Sequence, residues 1–309
     1  MPERAAPTQQ ELESYVKDRN NWGRWGADDE LGAMNLITTE KRIAAARLVR
    51  TGRSLSLSRF IPKTPGPGNP TPAQHFMRSH KIGTGGAATD FYGISFHGMS
   101  TTHLDALCHV WGSEGLYNGR DPDKEITFDG ANFGSVDKWA DGIVTRGVLV
   151  DVPKFRGEPY VTMKKPVHGW ELEDILRAQG VTLEPGDALA VFCGRGAWEN
   201  ANPDTPYAEG PKPGIHASCL PVIHDNDICL IAWDMQECSP SGYDLPFPLD
   251  LIPVHAIIPA FGAAVLDNVQ LEELADALRA EGRSEFMLVV SPLKMKGGTG
   301  SPVNPIALF

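Results

Sequence analysis

The chain has 309 residues, enough for one large domain or two modest ones with a real core. Hydrophobic residues make up 41% and charged residues 22%, which excludes an intrinsically disordered chain. A net charge of −11 with no Lys/Arg cluster argues against nucleic acid as a partner, because a phosphate backbone needs a basic face. The 5 cysteines (Cys108, Cys193, Cys219, Cys229 and Cys238) are odd in number and include no C-x-x-C pair. That argues against a disulfide framework or a zinc knuckle and fits reduced thiols. The polar N-terminus, MPERAAPTQQELESY, lacks the apolar run of a signal peptide, and no stretch reaches the ~18 apolar residues of a membrane span. A cytoplasmic protein without a membrane partner is expected.

In chain order, residues 11–17 read as a short polar helix, and residues 21–35 are rich in aromatics and glycine. Thr39 is placed to cap a helix over 41–49, with Thr51-Gly52 ending it. Residues 62–73, IPKTPGPGNPTP, are too dense in Pro and Gly for a helix or central strand and read as a loop or arm. Residues 91–96, FYGISF, alternate as a strand. Short apolar, branched runs at 147–152, 187–193, 228–234 and 286–291 read as buried strands. Helical patterns fall at 171–179 and 271–281; Asn268 is placed to cap the second, with Glu272 and Glu273 where negative charge is favoured. Strands alternating with helices give an α/β class: a mixed β-sheet core with packed helices. With no internal repeat and no clean boundary, the simplest organisation is a catalytic domain over 76–309 behind an N-terminal extension and arm over 1–75.

The chemistry concentrates at residues 97–109, HGMSTTHLDALCH, which hold three of the chain's 9 histidines and one aspartate. In an extended segment, residues two apart project to the same side, so His103 and Asp105 can converge on one cation. A helix starting near Asp105 would bring His109 onto the same face at i+4 and turn Leu104, Leu107 and Val110 to the core. An ionised Asp buried there needs a compensating charge, which a metal supplies. Imidazole with carboxylate suits Zn²⁺, Mn²⁺ or Fe²⁺ better than Ca²⁺ or Mg²⁺. H-x-D alone also occurs as ordinary polar residues at a strand end, so on residue types both readings stay open. Cys108 fits an apolar core thiol. The lack of a G-x-S-x-G elbow argues against a serine hydrolase. Gly-rich 83–86 and 297–300 lack the context of a dinucleotide fingerprint or P-loop. Trp25, Phe91 and Trp111 are candidate substrate contacts for a ring-bearing small molecule, although aromatics at such positions also serve as core.

THLDALCH, followed by LYNG at 116–119, resembles the H-x-D-x-x-x-H core of the cyclase family, which includes bacterial kynurenine formamidase and isatin hydrolase. Residues 25–38, 253–274 and 291–308 resemble further segments of the longer members, in the same order. The resemblance implies a swivelling β/β/α-type fold and a homodimer or homotetramer. It assigns His103 and Asp105 as metal ligands, His109 as the catalytic histidine, and His255 and Asp267 as further ligands. Two positions depart from the formamidases. Met99 stands where they carry a ligand His, and Asp267 where they carry Glu. His97 is the candidate replacement, and one divalent ion, Mn²⁺ or Zn²⁺, is expected. The implied activity is hydrolysis of a cyclic amide, arylformamide or lactone by metal-activated water with His109 as general base. A dehydratase, cyclase or isomerase on the same site, or a non-catalytic binding protein, are the rivals.

Overall fold

The computed structural model describes residues 4–66, 68–246 and 249–309. Its strands, in chain order, are β1 (Ser54–Ser56), β2 (Gln74–Ile82), β3 (Gly85–Gly93), β4 (His103–Asp105), β5 (Ile126–Thr127), β6 (Gly130–Ala131), β7 (Ile143–Asp151), β8 (Ala188–Phe192), β9 (Leu230–Trp233), β10 (Ala264–Asp267), β11 (Glu285–Val290), β12 (Gly300–Pro302) and β13 (Ile306–Leu308). Nine of them form one sheet in the order β1-β13-β11-β7-β8-β9-β10-β4-β12. β7 to β10 run parallel, and the strands outside them pair antiparallel. The sheet is therefore mixed, in the α/β class expected.

The parallel strands are covered on both faces, which is why they read as unbroken apolar runs. Every residue of β8 (ALAVF) and β9 (LIAW) is buried. Helices Gly169–Gln179 and Glu272–Glu281 fall where the periodicity places them, each ending at a glycine with positive φ, Gly180 and Gly282. Leu274, Ala275, Ala277 and Leu278 form the buried stripe of the second. Within residues 1–75, Ser54–Ser56 joins the sheet as edge strand β1, and the helix Thr39–Ala46 lies against β7.

Four local expectations differ from the structure. The cap of Thr39–Ala46 is Thr38, whose side chain accepts from the Lys41 amide. Asn268 caps no helix; the N-cap is Leu271, and Asn268 sits at φ 54 with its side chain spent elsewhere. Of residues 91–96, only 91–93 are strand, as the end of the β2–β3 hairpin. After Asp105 the chain makes a turn in place of a helix, with the His109 amide donating to Ala106 O at 3.0 Å. The Ala106 amide donates to Thr299 O and the Cys108 amide to Gly134 O, so these groups serve neighbouring segments.

Candidate metal centre

The parallel strands end at one rim, and the site is built there from loops leaving β9 and β10 and from β4 beside them. Open α/β sheets present ligand sites at such carboxyl ends. β4 pairs between β10 and β12, with His103 opposite Asp267 and Asp105 opposite Val265. Strand alternation sends His103 and Asp105 to one face and Leu104 to the other, and all three are buried. Gly300, opposite Asp105 on β12, leaves the room this needs. A Cβ there would stand 2.4 Å from Leu104 O and 3.0 Å from His97 Cε1.

Asp105 is the hub. His97 Nδ1 lies 3.0 Å, His103 Nε2 3.5 Å and His109 Nε2 3.6 Å from its Oδ1, and His255 Nε2 lies 3.8 Å from its Oδ2. Both oxygens are fully buried and neither accepts a hydrogen bond. Burial alone would push this carboxyl up, but the imidazoles of His109, His103 and His97 around it outweigh that and hold the group well below the usual carboxylate range. An ionised carboxylate without a hydrogen bond in a buried site calls for a cation.

The neighbours are oriented for the same purpose. His103 Nδ1 donates to Thr101 O at 2.8 Å, which leaves the Nε2 lone pair facing the carboxylates of Asp105 and Asp267. His255 Nδ1 is held by Glu237 Oε2 at 2.9 Å, the arrangement of a carboxylate that orients and enriches a metal-binding imidazole. Burial opposes protonation of His255, yet Glu237, Asp105 and Asp267 together raise it to about 9. Asp267 Oδ1 accepts from Trp233 Nε1 and from the Asn268 amide, each at 2.7 Å, and its Oδ2 accepts from Gln236 Nε2. His97 Nε2 meets Thr299 Oγ1 at 3.0 Å. His109 stacks on His97, and burial holds its imidazole down to about 4, so it is neutral near pH 7.

Among the described residues, two groups are compact enough to hold a divalent ion: His97, Asp105 and His109, and His103, Asp105 and Asp267. They share Asp105. The donor set of imidazoles and carboxylates, with an orphaned buried carboxylate at its centre, fits a divalent transition-metal ion.

The structure thus brings His97, His103, Asp105, His109, His255 and Asp267 together. It does not bring the three aromatic candidates to the cleft beside them. Phe91 is on the exposed hairpin, paired with Phe76. Trp111 is exposed, and Trp25 is half-buried against the core beneath Arg24. An aromatic that lines the cleft is Phe96, its ring 4.4 Å from that of His97; with His97, Met99 and Thr101 it bounds a volume of about 230 Å³. Sequence reasoning also missed Glu237, Trp233 and Gln236, which steady His255 and Asp267. Arg195, equally unforeseen, donates to Met99 O and to Asn268 Oδ1, tying the His97 loop to the segment after β10. The run ICLIAWDMQE at 228–237 carried a signal, since three polar side chains, Asp234, Gln236 and Glu237, follow a buried strand directly.

Residues 37–238 match the model of the Cyclase family. A crystal structure described as a novel cyclase is 32% identical, with a TM-score of 0.81, covering 94% of this chain and 99% of that one. Two isatin hydrolases share the fold at lower identity. The enzyme from Labrenzia aggregata, bound to benzyl benzoate, is 17% identical (TM-score 0.53; 87% of this chain, 98% of that one). The enzyme from Ralstonia solanacearum is 15% identical (TM-score 0.55; 87% and 97%). No curated protein matches the sequence. Because the family match spans most of the chain and a 32% identical relative covers nearly all of it, the chain belongs to the Cyclase family.

Proposed function

We propose that the protein is a metal-dependent hydrolase acting on a non-peptide C–N or C–O acyl bond of a small ring-bearing molecule: a cyclic amide, an arylformamide or a lactone. The observation that carries this is Asp105, whose two buried oxygens have no hydrogen bond and face four imidazoles. His103, Asp105 and Asp267 would hold one Mn²⁺ or Zn²⁺, with His97 and His255 at its margin. Such an ion supplies Lewis acidity and makes water acidic enough to attack at neutral pH.

The chain's own residues do the rest. His109, neutral and at the more open side of the cluster, takes the proton of the attacking water and returns it to the leaving nitrogen or oxygen. Its stack on His97 fixes the ring plane for that transfer. Phe96 and Met99 present apolar surface beside His97 for the ring of the substrate. A homodimer or homotetramer remains part of this reading.

The test is turnover of a panel of lactams, lactones and arylformamides by metal-reconstituted protein in ¹⁸O-water. Hydrolysis places one solvent oxygen in the product. A product formed without solvent oxygen would move the protein to a dehydratase, cyclase or isomerase, and inert metal-loaded protein to a binding role.

A further inference from the structure

Met99 borders two clefts. One is the cleft of about 230 Å³ beside Phe96 and His97. The other, of about 400 Å³, is walled by Pro211, Pro240, Leu251 and Ile252 around Lys212 and Ser239. Its lining also includes Gln236 and Glu237, whose side chains hold Asp267 and His255, so it adjoins the metal centre. Small-molecule pockets run to roughly 300–1,000 Å³. The first cleft falls short of that and the second lies within it, so a ring beside Phe96 leaves the larger space to another part of the same molecule.

The backbone fixes the polar groups of the second cleft. The Lys212 amide donates to Ser239 O at 2.9 Å and the Ser239 amide to Lys212 O at 3.1 Å, an antiparallel pair. Residues directly opposite in such a pair project to the same side. The pairing continues past Glu237, where the Cys238 amide donates to Ile215 O at 2.7 Å. Both Lys212 and Ser239 are half-buried. Lys41, Lys138 and Lys165 each pair with a carboxylate, whereas among the described residues Lys212 pairs with none and the Ser239 hydroxyl is equally uncommitted. Glu237, the acid of this cleft, is paired with His255 instead. A half-buried ammonium left alone on a chain with 39 acidic against 28 basic side chains calls for an anion.

We propose that the substrate carries a carboxylate on a side arm, which passes Met99 and is received by Lys212 and Ser239 in the second cleft. The ammonium supplies charge and the hydroxyl a second donor, the combination that makes a charge-assisted hydrogen bond to a carboxylate. The apolar walls take the methylenes that link the arm to the ring. This inference rests on the hydrolase reading for the ring and the acyl bond, and adds which of those substrates the protein selects.

The experiment is titration calorimetry of the metal-loaded full chain with hydrocinnamate and, as the neutral counterpart, its amide. The parent binds the acid more tightly than the amide by about tenfold to a hundredfold, the worth of a hydrogen bond to a charged group. Lys212→Met keeps the aliphatic stem and loses that preference, with unchanged metal content and circular dichroism. Ser239→Ala loses about threefold to tenfold of it. Lys164→Met, at an exposed lysine outside the cleft, keeps it. Equal binding of acid and amide by the parent, no binding of the acid, or an equal loss in Lys164→Met would each overturn the proposal. A preference that survives in Lys212→Met would put the carboxylate on the metal and overturn it too. If Lys212→Met does not fold, Ser239→Ala decides on the same readout. Failure of the hydrolase reading looks different: no lactam, lactone or arylformamide is turned over while the Lys212-dependent preference stands. Turnover without that preference sinks this inference alone.

Discussion

His97 and His109 lie ring on ring, centroids 3.9 Å apart and planes within 3°, and both face the same oxygen of Asp105. The pair divides labour. His97 is also fastened to Thr299, whereas His109 has no described hydrogen bond to its ring and is free to move a proton. Replacing His109 with Gln is expected to leave the metal content unchanged and to lower kcat by about 10²–10⁴-fold, the usual worth of a positioned general base. Elemental analysis and steady-state kinetics on one preparation check both halves. Full activity in the variant would remove His109 from the mechanism.

Asp105 is shared by both candidate ligand groups, so its loss reaches both. The parent should carry about one Mn²⁺ or Zn²⁺ per chain, and Asp105→Ala essentially none. In thermal melts, added metal should stabilise the parent by about 2.7 kcal/mol at a hundredfold excess over Kd and leave the variant unmoved. Two ions per chain would mean that both candidate groups hold one.

Glu237 touches the centre only through His255. Glu237→Gln keeps its size and removes its charge, so it should weaken metal binding by about 10–100-fold, as loss of a carboxylate behind a ligand imidazole does elsewhere. Competition with a chromogenic chelator measures this. Unchanged affinity would place His255 outside the ligand set.

Gly214 packs where no side chain fits, since a Cβ there would come within 1.7 Å of Gln236 O. Gly214→Ala should cost about 1–3 kcal/mol in urea unfolding through overpacking. Because Gln236 holds Asp267, the same variant should also bind metal less tightly than its stability loss explains.

Much of this was legible from residue order. The buried strands were readable because parallel strands covered on both faces need unbroken apolar runs, as in β8 and β9. The shared face of His103 and Asp105 was readable because strand alternation is a local geometric rule. Other features were settled by long-range contacts. Glu237 meets His255 across 18 residues, and Arg195 meets Met99 across 96, with no period to announce either. His109 reaches Asp105 through a turn where spacing alone offered a helix, its amide bonded to Ala106 O and the Ala106 and Cys108 amides to Thr299 O and Gly134 O in distant segments. Phe91 looks in sequence like a pocket residue and stands on an exposed hairpin, since composition records how apolar a side chain is and not what covers it. The sequence by itself determined the class of sheet and the chemical types of the candidate centre. Only the tertiary structure decided which of those groups converge, because convergence depends on strand register and loop path, which tertiary contacts set.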